Sequence, residues 1–529
     1  MFLKAGALSL ALLLVSRLLG LLRESALAAA FGASGLGDVA VLMLTLPDWV
    51  AGVLASGALA YVLLPHWAQQ TPAQQAQVQH RVAWTLLGGG LLIGCLLAVG
   101  EAQVVGWLAA GVKASALPDA GQALFWSALG LPAALLAALW VTRLQHESDF
   151  IGMYGANVVV NGGVIAGLGV VAWGDLSFTR VTQLGWALCA ALSLRLLWLR
   201  WRLRPLSSSV APGRVGEGAL VAVVPGAAQL PAPELWLPRP SLWWWAALSA
   251  GLPLTLPFVA RAMASGAGEG ALATFNYAWK LVELPLMLAI QLVATLAFPA
   301  ITRAMAGGAS RGAMMTPEAR RVIRNALALA WTLACAATLA LQVGAAAIAD
   351  LLFGWGRMDA QALARVADWG RTGAWGLLPQ ALIAVAVTVL AAQARMRVAV
   401  AAYALALTGL LALCRQGDDG AVLMTALNGV LTGVALLMVL TLVWRDGRKA
   451  MSPEALPDVS SQAVGLLPWR ALAVPAVVLG GTTLALKSAG LHFHSQKGLL
   501  PLILSGLLAI FTIALSMLSC PELRQALRR

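Results

Sequence analysis

The residues of this chain that could do chemistry are charges set inside apolar runs. The segment SRLLGLLRE places Arg17, Arg23 and Glu24 within two turns of one apolar stretch. Arg17 and Glu24 are seven apart and share a helix face, whereas Arg23 lies about 120° round from Arg17. Asp38 stands at the outer start of the next stretch and Asp48 deeper in it, and Lys280 and Glu283, spaced i,i+3, can touch on a later one. Each charge in hydrocarbon costs about 2.5–3.5 kcal/mol on insertion scales, so each requires a partner or water. Internal pairing would simply lock helices together. Cations gathered on one surface would instead form a cationic cavity for a polyanion, above all a phosphate, which Arg binds bidentately and Lys meets as a point charge. Asn157 and Asn161, one turn apart, either line such a cavity or bond to neighbouring helices.

Other chemistries find little support. His66, His80, His146, His492 and His494 show no HExxH or paired-ligand spacing and read as interfacial residues. Cys95, Cys189, Cys335, Cys414 and Cys520 stand singly in apolar runs, without metal-type spacing, and read as packing residues. Among the acids, Asp418 and Asp419 are adjacent but lack further ligands, so a metal-dependent membrane enzyme is disfavoured. No metal, cofactor or catalytic residue is expected. Trp243-Trp244-Trp245 reads as an interfacial anchor, and Gly162-Gly163 as a place where helices approach closely.

The elements that must position these charges are membrane helices. With 529 residues, 60% hydrophobic, 11% charged and a mean hydropathy of +0.82, the chain has far more apolar surface than buried cores absorb. It is expected to be an all-α integral membrane protein. Spans of about 20 apolar residues number fourteen, near 6–30, 39–64, 83–111, 121–142, 152–173, 181–199, 242–263, 271–301, 325–353, 372–393, 398–414, 420–444, 468–486 and 498–520. Ala26-Leu27-Ala28 resembles a signal-peptidase site, but Arg17 and Arg23 interrupt the apolar region and argue for a retained first helix. With both termini inside, the inner segments hold 23 Lys and Arg against 9 in the outer loops, which places both ends in the cytoplasm. The net charge of +13 therefore needs no nucleic-acid partner.

Two proline-rich or polar connections divide the chain: 1–203 as a six-helix lobe, 204–240 as a cytoplasmic linker, 241–444 as a second lobe, 445–467 as a shorter linker and 468–529 as a C-terminal helix pair. A weak repeat supports the two lobes. Pro47, Pro65 and Pro132 match Pro285, Pro299 and Pro379 at offsets of 238, 234 and 247 residues. Two pseudo-symmetric bundles related along the membrane normal are the architecture of an alternating-access transporter, with the substrate at their interface.

The residues carry a resemblance. SRLLGLLRESALAAAFGASGLGDVAVLMLTLPDWVAGVLASGALAYVLLP resembles the opening of the MurJ/MviN lipid II flippases of the MOP transporter superfamily, as NYAWKLVELPLMLAIQLVATLAFP and LFGWGRMDAQALARVADWGRTGAWGLLP resemble later segments of that family. The resemblance implies that Arg17 and Arg23 are the two cavity arginines of the first span, that Asp38 is the acid opening the second, and that Lys280 replaces a cavity arginine of the eighth. Departures stand beside these matches. The family's basic pair after LPN is Ala51-Gly52 here, its EGAF glutamate is Ser56, and the LPN asparagine is Asp48. The implied protein is a monomeric, multi-pass flippase of the bacterial inner membrane, without enzymatic activity. It would carry lipid-linked peptidoglycan precursor from the cytoplasmic to the periplasmic leaflet, driven by a coupling ion or the membrane potential. Arg17, Arg23 and Lys280 would bind the pyrophosphate. Glu24, Asp38, Asp48, Glu283, Asn157 and Asn161 would line or gate the path, and the last two helices would offer a groove for the polyprenyl tail. The departures leave open a flippase for another polyprenyl-pyrophosphate-linked oligosaccharide. A drug/cation antiporter of the same superfamily would show buried carboxylates without the span-one arginines.

Overall fold

The computed structural model describes residues 2–54, 58–173, 178–208, 238–309, 316–393, 395–450, 465–488 and 498–527. Ser56, His492, His494, most of the 204–240 linker and most of the 445–467 linker lie outside the described residues. The described chain is helical throughout its regular structure. The helices are α1 (Phe2–Phe31), α2 (Gly35–Val53), α3 (Leu59–Trp67), α4 (Pro72–Val99), α5 (Glu101–Leu108), α6 (Leu117–His146), α7 (Phe150–Trp173), α8 (Arg180–Ser208) and α9 (Pro240–Ser265). They continue as α10 (Ala271–Pro285), α11 (Gln291–Ala309), α12 (Pro317–Phe353), α13 (Ala360–Ala374), α14 (Leu377–Ala392), α15 (Met396–Leu413), α16 (Gly420–Ala450), α17 (Trp469–Ser488), α18 (Leu499–Ser519) and α19 (Pro521–Leu527). Among the described residues, twelve helices are long and apolar enough to cross a membrane, or thirteen where α13 and α14, bent by 48°, are counted as one broken span. The 30-residue α1, which carries Arg17, Arg23 and Glu24, is not among these, and the count is roughly that of the fourteen spans read from the sequence.

Individual limits differ from the hydropathy reading for local reasons. The third span begins at Pro72, not near 83, because Thr71 and Gln74 form a capping box with Pro72 in the first turn. That cap starts a helix whose first turns are polar and so invisible to hydropathy. The span then ends at Val99, with α5 as a separate helix. The tenth span is preceded by α13, which Asp359 caps by accepting from Ala362 N–H. The eighth is broken by a π turn at Leu286–Ile290 directly after Pro285, whose ring and missing N–H disturb the regular ladder.

The chain forms two compact units, one of residues 1–23, 42–102 and 121–254 and one of residues 24–41, 103–120 and 255–529. In the first, Leu59, Leu63 and Trp67 of α3 pack with Val78 and Val82 of α4 and Ala138 and Leu139 of α6. Its α7 and α8 approach closely: a Cβ on Gly163 or Gly167 would lie 2.9 or 2.2 Å from the Ala191 or Ala187 methyl, whereas Gly162 faces open space. Trp243 packs on this core and Trp244 is exposed. In the second unit, α12 is the hub. Its face of alanines and other small residues lets α13, α14, α17 and α18 pack directly on it. The broken α13–α14 backbone is satisfied there by side chains: Thr338 donates to Ala374 O, Gln342 to Arg371 O and Asn428 to Thr372 O.

Candidate functional site

In the first unit Arg23, Asp48 and Arg195 lie close together. Arg23 Nη1 donates to Asp48 at 2.8 Å, its side chain 13% exposed and that of Asp48 53%. Asp48 also acts electrostatically on Arg195 of α8, whose Nη2 donates to Asn157 Oδ1 at 3.1 Å. Arg17 is exposed and close enough to Tyr154 for its charge to act on the hydroxyl. Asn161, one turn beyond Asn157, faces α1 at Gly20, where a Cβ would stand 3.9 Å from its Nδ2. The two asparagines thus serve different neighbours. Two guanidinium groups, Arg23 of α1 and Arg195 of α8, thus share one half-exposed carboxylate. That excess of donors suits an anion.

The second unit holds the remaining site residues in two groups. Glu24 is 2% exposed and accepts from Asn276 Nδ2 at 2.9 Å, and Asn276 Oδ1 accepts from Arg261 Nη1 at 2.8 Å. The asparagine amide therefore links a buried acid to a cation, and the guanidinium also lies 5.1 Å over the Phe258 ring. One turn on, Lys280 Nζ donates to Glu283 at 2.7 Å, with both side chains about a quarter exposed, at 24% and 29%.

Asp38 has a different character. It is fully buried, and its two carboxylate oxygens accept from Gly270 N–H at 2.7 Å and Ala273 N–H at 2.8 Å. It thus caps the N-terminus of α10, where free N–H groups and the helix dipole favour a negative charge. Gly270 itself has φ +79, and a Cβ there would meet Ala33 O at 2.1 Å, so the turn requires glycine. Glu269 returns the contact: its Oε1 accepts from Gly35 N–H at the start of α2, while Oε2 pairs with Lys113 at 2.5 Å. Lys113, first, and the Gly35 N–H hold the Glu269 carboxyl below its ordinary value.

Sequence reasoning missed Arg195, Arg261 and Asn276. Arg195 and Arg261 fall inside the spans 181–199 and 242–263, yet the charge tally groups them with the flanking segments. Counting every charge inside the span limits finds both. Asn276 carried no such signal, since its importance comes from the residues it joins. Among the described residues, no group of three His, Cys, Asp or Glu could hold a metal ion.

Comparison with known proteins adds the family. The family model described as lipid II flippase MurJ matches residues 27–213 and 240–496. A solved structure of lipid II flippase MurJ in an inward closed conformation superposes with a TM-score of 0.74 at 12% identity, covering 99% of this chain and 100% of that one. An inward-facing multidrug resistance MATE transporter of the MOP superfamily gives 0.59 at 15% identity, covering 82% and 94%. A MOP superfamily transporter from Pyrococcus furiosus, described as having a binding pocket of reverse polarity, gives 0.56 at 15% identity, covering 84% and 96%. No curated protein sequence matches. The structural likenesses establish the fold, and the family model, spanning most of the sequence, establishes that the chain belongs to the lipid II flippase MurJ family.

Proposed function

We propose that this member of the family carries the pyrophosphate of lipid II on Arg17, Arg23 and Lys280. Family membership makes the chain a multi-pass inner-membrane lipid II flippase serving peptidoglycan synthesis. The observation that supports the site assignment is the state of the cations. Arg23 and Lys280 each rest against a partly exposed acid, Asp48 and Glu283. Each acid is partly exposed and therefore reachable, so an incoming pyrophosphate, with more charge and more acceptor oxygens, displaces it. The carboxylates act as resident counterions that keep the empty carrier neutral where hydration is scarce. Asn157 holds Arg195, and Asn276 holds Arg261, as further cations of the path.

The headgroup crosses from the cytoplasmic to the periplasmic leaflet by alternating access, as a monomer, with an ion gradient or the membrane potential as the driving force. Asp38 and Glu269 clamp the starts of α10 and α2 together and act as the gate. Both termini and the 204–240 linker face the cytoplasm, and the two six-helix lobes with a C-terminal helix pair remain the organisation we favour. The polyprenyl tail follows α17 and α18. The carrier itself performs no bond chemistry.

A second reading keeps the fold and changes the cargo: another polyprenyl-pyrophosphate-linked oligosaccharide. What favours it is Ala51-Gly52 where the family has a basic pair, together with Asp48 as an added acid. Two experiments test the proposal. Complementation of cells depleted of their lipid II flippase should restore growth, and competition binding should show preference for the peptidoglycan precursor. Purified protein that ignores that precursor while binding another lipid-linked glycan would promote the second reading. For orientation, a cysteine at position 215 should resist labelling from outside intact cells, and ready labelling there would reverse the topology.

A further inference from the structure

The first unit contains a cavity that none of the preceding chemistry uses. It opens where the first turns of α4 meet the C-terminal ends of α6 and α8, with a volume of about 770 Å³. Arg143, Arg200 and Arg204 line it against a single acid, Glu147. The Arg143 side chain is 12% exposed; its Nη2 pairs with Glu147 at 2.6 Å and its guanidinium lies 5.3 Å over the Trp67 ring. Its Nη1 is buried and makes no hydrogen bond. Arg200 and Arg204 stand exposed at the rim. His80 and His146 also line the cavity and are engaged with Trp84 and Gln75, respectively. The opposite wall is apolar, formed by Ala83, Leu87, Leu136 and Trp140.

Cations beside an apolar wall fit an amphiphilic anion better than a free ion. The place along the helices agrees. The start of α4 is polar through Arg81 and apolar from Val82 onward, so the cavity straddles the boundary between water and lipid. We infer that this cavity binds one anionic phospholipid, with its phosphodiester on Arg143, Arg200 and Arg204 and an acyl chain along Leu87 and Leu136. The Arg143 Nη1, buried and without a hydrogen-bond partner, supplies a donor for a phosphate oxygen once the side chain turns toward the cavity. Basic pockets between membrane helices on the cytoplasmic side recognise such headgroups. The assignment to the cytoplasmic leaflet rests on the topology proposed above, but the binding itself depends neither on that topology nor on transport.

The test is a titration of the full-length protein in detergent micelles with phosphatidylglycerol and phosphatidylcholine in competition, read by native mass spectrometry. Wild type should retain phosphatidylglycerol in preference to phosphatidylcholine, and Arg200→Gln with Arg204→Gln should weaken that retention about tenfold. Arg143→Gln should do the same if it folds; the rim pair, being exposed, tests the site regardless. Arg303→Gln, on α11, should change nothing. Equal retention of both lipids by wild type, or an unchanged double variant, overturns the proposal. So does displacement of the lipid by millimolar inorganic phosphate, which would mark an ion site. Displacement by undecaprenyl pyrophosphate at lower concentration than phosphatidylglycerol itself requires, lost in the double variant, would reassign the cavity to the transported lipid and equally overturn it.

Discussion

Arg23 and Glu24 are neighbours on α1, yet they belong to different compact units and live in different surroundings. Arg23 meets Asp48, which is half exposed, in the pair we propose is exchanged for another anion. Glu24 is 2% exposed and hydrogen-bonded to Asn276, itself tied to Arg261. The contrast separates two uses of charge in a membrane helix. A charge beside a reachable counterion is available to a ligand, whereas a charge enclosed in a satisfied network holds helices in place. Breaking such a network leaves a polar atom buried and unpaired, which costs about 1–3 kcal/mol. Lys280 and Glu283 fall on the exchangeable side. Asp38, spent on two backbone N–H groups, falls on the enclosed side.

The largest effect expected from this contrast is on transport. Arg17→Ala, Arg23→Ala or Lys280→Ala should abolish complementation while leaving the amount of folded protein near wild type. Lys280→Arg should be tolerated, because the charge is kept. If these residues were structural instead, abundance would fall, and removing Glu283 together with Lys280 would rescue it. Measuring protein level beside complementation separates the two outcomes.

The next effect is on stability. Glu24→Ala leaves Asn276 Nδ2 without its acceptor, and we expect a loss of about 1–3 kcal/mol, seen as a lower Tm and lower abundance. A Glu24→Ala protein as stable as wild type but inactive would move Glu24 to the ligand side and erase the contrast.

A smaller change sharpens the ligand side. Asp48→Asn removes the resident counterion of Arg23 and, for the pyrophosphate cargo, should preserve transport or raise it a few-fold, about 1 kcal/mol at most. Ala51→Arg should act in the same direction by adding a phosphate contact. Position 52 is less suited, since a Cβ there would lie 3.3 Å from Leu254 Cδ1. Impaired transport in both variants would show that the missing basic pair is part of the selectivity for a different headgroup.

The smallest effect calibrates ion pairs outside the membrane. Asp149, between α6 and α7, accepts from Arg202 Nε and Nη2 at 2.9 and 2.7 Å. Burial pushes its carboxyl up, but the Arg202 hydrogen bonds and the Gly152 N–H outweigh it and hold the carboxyl below its ordinary value of 3.8. Its folded pKa thus lies below the unfolded one, so the stabilisation is fully present above about pH 4. It is lost as pH falls through the lower, folded value. Asp149→Asn should cost no more than about 1 kcal/mol at neutral pH and should flatten this acid limb of a Tm-against-pH curve. A wild-type curve with the same acid limb as the variant would remove the pair from the ledger of stabilising contacts.

Composition and hydropathy were enough to read helices, membrane and approximate span number, because a lipid environment allows a buried backbone few alternatives to the helix. The charges of the proposed site were also visible, since an ion in an apolar run must have a reason to be there. Arg17, Arg23, Glu24, Asp48, Lys280 and Glu283 could all be named from their positions, and the Lys280–Glu283 contact follows from helical spacing alone. Helix ends were less legible where capping, not hydropathy, sets them, as at Thr71 and Asp359. Partners distant in sequence were not legible at all. That Arg23 turns to a residue 25 positions away and its neighbour Glu24 to one 252 positions away is decided by how helices pack. The same packing makes Asp38 a cap for a helix 232 residues on. A sequence states the cost of burying a charge, but only the tertiary structure brings up the group that offsets it.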